Sequence, residues 1–180
     1  MSAFVTAHQR TILAAGFNPG AIDGDWGRKT QLATDAWQRS RGVYVPPWLL
    51  AAERELGVTE YAGAADNPRV LEYHRHTSLR ASDDEVAWCS AFENFVMDVV
   101  GVPKTNSAAA ASWLDWGTPI AKPVYGCVVV FSRPGGNHVS NVVGWDADNL
   151  AILGGNQADS VCVSITGYSR VRGFRMRFPK

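Results

Sequence analysis

Past Pro123 the chain stops reading as helix and becomes a series of short apolar runs, and no other feature constrains its fold as much. YGCVVVF, NHVSNVVGW, NLAILGG, SVCVSIT and RVRGFRMRF are rich in β-branched and aromatic residues and are separated by turn clusters, the pattern of short strands joined by tight connections. Before Pro123, apolar residues recur at helical spacing between proline and glycine punctuation. Helices first and an antiparallel meander second predict an α+β domain.

The helical half divides further. PPWLLAAERELG has prolines at its start and Gly57 just past its end. A second helix follows DNP, with Asp66 or Asn67 as cap and Pro68 in the first turn, and runs to about His76. A third begins after SDDE and carries Cys89, Phe92, Phe95, Val96, Val99 and Val100 before Gly101 and Pro103. A fourth, alanine-rich, spans about Ser107 to Trp116. Upstream, residues 4–41 predict two short helices around the glycine-rich turn NPGAIDGDWGRKT, the second with Leu32, Ala33, Ala36 and Trp37 on one face. Gly42 and Pro46-Pro47 form a short linker. The expected organisation is a helical segment over 1–42 and a main domain over 47–180.

Acidic and basic residues balance at 17 each, and no basic stripe interleaved with aromatics appears, which argues against nucleic acid as a partner. No apolar run is long enough to span a bilayer, and MSAFVTAHQRTILAAGF lacks the basic head, apolar run and cleavage site of a secretory signal. The expectation is a monomer made and left in the cytoplasm, reaching any site beyond the membrane through another factor. Three cysteines without CxxC spacing argue against a disulfide framework and a structural zinc site, and no cofactor or metal is expected. His74 and His76 are two apart and diverge on a helix, His8 reads as solvent-facing, and ASDDE reads as a solvated helix cap. Trp88, Trp113 and Trp116 read as core, with groove lining as the alternative.

Cys89 differs from Cys127 and Cys162 in its position. A thiol at a helix start is expected to have a lowered pKa, because unpaired backbone N–H groups and aligned peptide dipoles favour the thiolate. His138, on a strand about fifty residues later, is a candidate base and acid. The turn DADN at 146–149 sets His138 opposite Asn156 or Gln157, so an amide side chain on the next strand can fix the imidazole tautomer. Asn156 is preferred because it follows Gly154-Gly155, where a polar side chain can turn towards a cleft; a one-residue shift would exchange the two. The backbone N–H of Cys89 is a natural oxyanion donor.

WCSAFENFV, GNHVSNVVG and LAILGGNQ resemble the CHAP and NlpC-type cysteine peptidases of peptidoglycan, over roughly residues 48–178. The resemblance implies a papain-like domain with Cys89 as nucleophile, His138 as base and later acid, and Asn156 as orienting residue. It also implies cleavage of amide bonds in bacterial wall peptides through an acyl-enzyme. Two departures stand out: YGCVVVF carries Cys127 where relatives usually carry Asp, and the third residue is an amide rather than His or Glu. AGFNPGAIDGDWGRKTQLATDAWQ resembles the peptidoglycan-binding domain, which implies wall contact through Asp23, Gly24, Trp26 and Gly27. Together these imply a phage endolysin-like hydrolase. The alternatives are an injected wall-degrading toxin, a non-catalytic wall-binding or virion protein, and an acyl transferase on the same scaffold.

Overall fold

A computed structural model describes residues 1–63 and 65–179. Helix α1 (Ala3–Ala14) starts where the Ser2 hydroxyl accepts the Val5 N–H, and α2 (Arg28–Ser40) follows the glycine-rich turn. Helix α3 (Pro47–Arg54) opens on a proline, which has no N–H to leave orphaned, and α4 (Pro68–Arg75) is capped by Asn67, whose side chain accepts the Arg69 N–H. Helix α5 (Cys89–Val99) is the central one. The predicted fourth helix of the main domain is instead a 3-10 segment, Ala110–Asp115. There the Trp113 indole donates to the Ser90 hydroxyl at 2.9 Å and the Trp116 indole to the Pro103 carbonyl at 2.6 Å. Trp113 lies within the segment and Trp116 ends it in extended backbone, so the two indoles anchor the turn from inside and from its end.

The strands are β1 (Thr118–Ile120), β2 (Val128–Arg133), β3 (Gly136–Trp145), β4 (Asn149–Gln157), β5 (Ser160–Gly167) and β6 (Val171–Met176). They form one six-stranded antiparallel sheet in the order β1-β6-β2-β3-β4-β5. The expected five-strand meander holds for β2 to β5, whereas β6 leaves it to pair with the other side of β2, and the short β1 lies beyond the expectation. The Asp146 carboxylate accepts the N–H groups of Asp148 and Asn149 and so fixes the β3–β4 turn.

Helix α5 lies against β3 and β4. At Gly155 a Cβ would come within 2.5 Å of Trp88 and 2.7 Å of Phe92, so glycine permits this approach. Trp48, Trp88, Trp113, Tyr73 and Phe92 are fully buried in the core, each contributing roughly 1.5–3 kcal/mol by area. Trp88, Trp113 and Trp116 are therefore core and not groove lining. The 1–42 segment shares this core: Val5 and Trp26 belong to the same apolar cluster. Arg28 donates to the carbonyls of Glu53 and Leu56 at the end of α3. Among the described residues no helix is long and apolar enough to cross a membrane.

Candidate active site

Cys89 opens α5 and is 3 % exposed. The backbone N–H groups of Val139, Ser90 and Cys89 itself favour its thiolate, as does the Arg133 guanidinium. Burial outweighs them and pushes the Cys89 thiol up. The lowered pKa expected from the helix start is thus corrected: water is excluded from the sulfur, and desolvation wins over the dipole.

His138 lies near the start of β3, opposite Phe131 on β2. Its Nε2 is 3.1 Å from Gln157 Oε1 and 2.9 Å from the Ser140 hydroxyl, which itself donates to Gln157 Oε1 at 2.9 Å. The Gln157 Nε2 donates to the carbonyls of Ile152 and Cys162 at 3.2 and 2.7 Å, so its oxygen must face the ring. Nε2 therefore carries the hydrogen, and Nδ1 is the basic nitrogen. Nδ1 is buried and, among the described residues, has no hydrogen-bond partner. Burial holds the His138 pKa below its ordinary value, so the ring is neutral at pH 7. The sulfur meets the backbone N–H of Val139, the residue after His138, but thiol and imidazole make no hydrogen bond with each other.

Asn156, the preferred third residue, is not the one at the ring. Its φ is +55°, and its amide turns to Glu60 at 3.5 Å. The β4–β5 ladder skips from Gly154 to Gln157, and this bulge rotates Gln157 into the inward place. Ser140 was missed, although two residues beyond His138 on a strand is the same face. Glu93 was missed as well, one helical turn beyond Cys89. It is fully buried, accepts from the Asn141 amide at 2.9 Å, and is pushed up to about 8 by burial.

Of the residues expected to touch the wall, Gly24 and Trp26 are buried, whereas Asp23 and Gly27 are exposed. Trp26 is 7 % exposed, donates to Gln31 at 2.8 Å, and packs where a Gly144 Cβ would stand. Asp23 accepts from Gln9 at 2.9 Å, and Gly24, at φ +77°, has no room for a Cβ beside Met1, Ser2 and Thr6. Asp23 and Gly27 do border an open cavity of about 380 Å³ with Gln9 and Lys29, which neither Cys89 nor His138 lines. His8 is not solvent-facing: it stacks on Trp26 at 4.4 Å, and burial lowers its pKa to about 4.

Oxygens of Asp66, Asp83 and Asp84 lie within 4.8 Å of one another, a set of donors suited to a hard cation. The same carboxylates brace their loops: Asp84 is buried and accepts the N–H groups of Tyr61 and Asn67, and Asp66 accepts that of Asp84. Within the ASDDE run Asp84 is thus a buried brace, while Ser82, Asp83 and Glu85 are exposed, and the residue that caps α5 is Trp88. No family model, curated protein or solved structure matches the chain.

Proposed function

We propose that the chain is a cysteine-dependent hydrolase of bacterial peptidoglycan with a papain-like arrangement of Cys89, His138 and Gln157. The observation that carries this reading is the division of labour on the imidazole. One nitrogen is tied down by Gln157 and Ser140, and the other is left bare on the residue preceding the Val139 N–H that meets the sulfur. The mechanism requires a turn of the ring that carries Nδ1 to the thiol. With the thiol raised and the imidazole lowered, the resting pair is neutral. The proton then moves from Sγ to Nδ1 as sulfur attacks the carbonyl carbon of a wall peptide. The new oxyanion takes its hydrogen bond from the N–H at the start of α5. His138 returns the proton to the departing amine, and water cleaves the thioester to regenerate the thiol. On this reading the protein reaches its substrate through a separate release or injection factor, as a phage lysis enzyme or an injected toxin would.

The 3 % exposure of Cys89 favours one other reading, a wall-binding protein that keeps the scaffold without the chemistry. One pair of measurements separates them. The hydrolase clears a suspension of purified wall, and Cys89→Ser abolishes clearing without changing the circular dichroism. Iodoacetamide labelling of Cys89 should rise with pH to well beyond the ordinary thiol range, about 8.5, with no plateau at low pH. Equal clearing by wild type and Cys89→Ser would rule out the thiol mechanism, and no clearing by either would favour the binding protein. Mass analysis of the fragments separates amidase from endopeptidase products.

A further inference from the structure

A cleft of about 180 Å³ between the two N-terminal helices and the end of β3 is lined by His8, Trp37, Gln38, Arg41, Gly144 and Trp145. Its aromatic wall is pre-built. His8 stacks on Trp26, meets Trp37 edge-on at 5.9 Å, and is pinned by a 2.8 Å bond to the Thr34 hydroxyl. The Arg41 guanidinium lies over the Trp37 ring at 4.5 Å, which holds its N–H groups at the rim. Trp145 is 41 % exposed, an indole left at the surface beside that wall. Gln38 is 8 % exposed as a residue, and what it exposes faces the cleft.

We infer that this cleft is a carbohydrate site that takes one pyranose ring of an N-acetylated amino-sugar chain. A pyranose has an apolar C–H face and a polar rim. The indole of Trp145 suits the face, and Arg41 offers donors to the ring hydroxyls. Gln38 supplies one donor and one acceptor, the complement of an acetamido group. The fixed geometry of Trp26, His8 and Trp37 lowers the entropy cost of binding. The site is built from α1, α2 and the β3–β4 hairpin, so it joins the 1–42 segment to the sheet. The inference borrows from the proposed function only the choice of an amino sugar as probe.

The experiment titrates the trimer of β-1,4-linked N-acetylglucosamine into the full chain carrying Cys89→Ser, followed by calorimetry and tryptophan fluorescence. Saturable binding is expected, and Trp145→Ala and Gln38→Ala should each weaken it by at least about tenfold. Trp145→Ala should leave circular dichroism and melting temperature unchanged. Absence of saturable binding at millimolar trimer overturns the inference. So does equal binding by both variants, or a sugar-free wall peptide that binds at Trp145 in place of the trimer. Loss of clearing with trimer binding intact would count against the hydrolase alone.

Discussion

Gln157 can orient His138 because its nitrogen is already committed to two carbonyls, which leaves its oxygen for the ring. Alanine at this position removes the acceptor that fixes the tautomer, so Nε2 and Nδ1 compete for the proton. If His138 is the base, Gln157→Ala should lower the rate of wall clearing by roughly ten- to a hundredfold, less than the roughly hundred- to ten-thousandfold that the positioned base itself contributes. Asn156→Ala should leave it within about twofold, since Asn156 reaches only Glu60. Equal losses in both variants would show that the bulge, not the amide, matters. The pair 156–157 was as far as the sequence could go. Pairing arithmetic around DADN puts His138 opposite one of the two, but a left-handed residue at 156 is a backbone event that alternation cannot register. Cys89 at the helix start was legible from SDDE and the apolar spacing after it. Its raised pKa was not, because desolvation depends on what the sheet and Trp88 exclude.

Two elements meet through one buried pair: Glu93 on α5 and Asn141 on β3. Glu93 Oε1 and Asn141 Oδ1 are both buried and without partners among the described residues. The Asn141 amide favours the carboxylate through its one hydrogen bond, but full burial disfavours the charge more. The folded pKa is about 8, above the ordinary value of 4.5. The folded state therefore holds a proton that the unfolded chain gives up from about pH 4.5, and this contribution to stability drains away as pH rises to about 8. Glu93→Gln keeps an oxygen to accept from the Asn141 amide and removes the titration. It should stabilise the protein at pH 7 by on the order of 3 kcal/mol and by much less at pH 4.5. Melting temperatures of the two proteins across that range test this; parallel curves would mean that Glu93 is ionised in the fold. At this scale the sequence was read well where punctuation is strong. The proline and glycine stops located α2, α3 and α4, and the β-branched runs located β2 to β6. It was read poorly where tertiary anchoring decides, as in the 3-10 turn held by two indoles and the three-residue edge strand β1.

At the scale of the whole molecule, the linker between residues 42 and 47 suggests two units, but what lies on either side of it is one folded body. A Cβ at Gly126 would come within 2.5 Å of Pro46, and the Trp48 indole donates to the Gly126 carbonyl at 2.9 Å. The linker is thus packed against the start of the sheet rather than tethering across solvent. Deeper in, Gln31 donates to Glu53 and to the Tyr125 hydroxyl, both at 2.9 Å, and Tyr125 donates to Asp35. Burial and the neighbouring Asp35 push Glu53 up to about 9, so at neutral pH it is a carboxylic acid enclosed by partners from α2. A chain beginning at residue 43 would lose Gln31, Asp35 and the Trp26 ring together. Glu53 and Tyr125 would then face water, and the apolar surface around Gly144 would be exposed. Calorimetry of the full chain should therefore show a single transition, with equal calorimetric and van't Hoff enthalpies. The 43–180 fragment should melt at least about 10 °C lower or fail to fold, since each kcal/mol lost shifts the midpoint by about 2–4 °C in a chain of this size. Two transitions in the full chain, or a fragment with an unchanged midpoint, would mean that the buried polar contacts across α2, α3 and the start of β2 contribute nothing to holding the halves together.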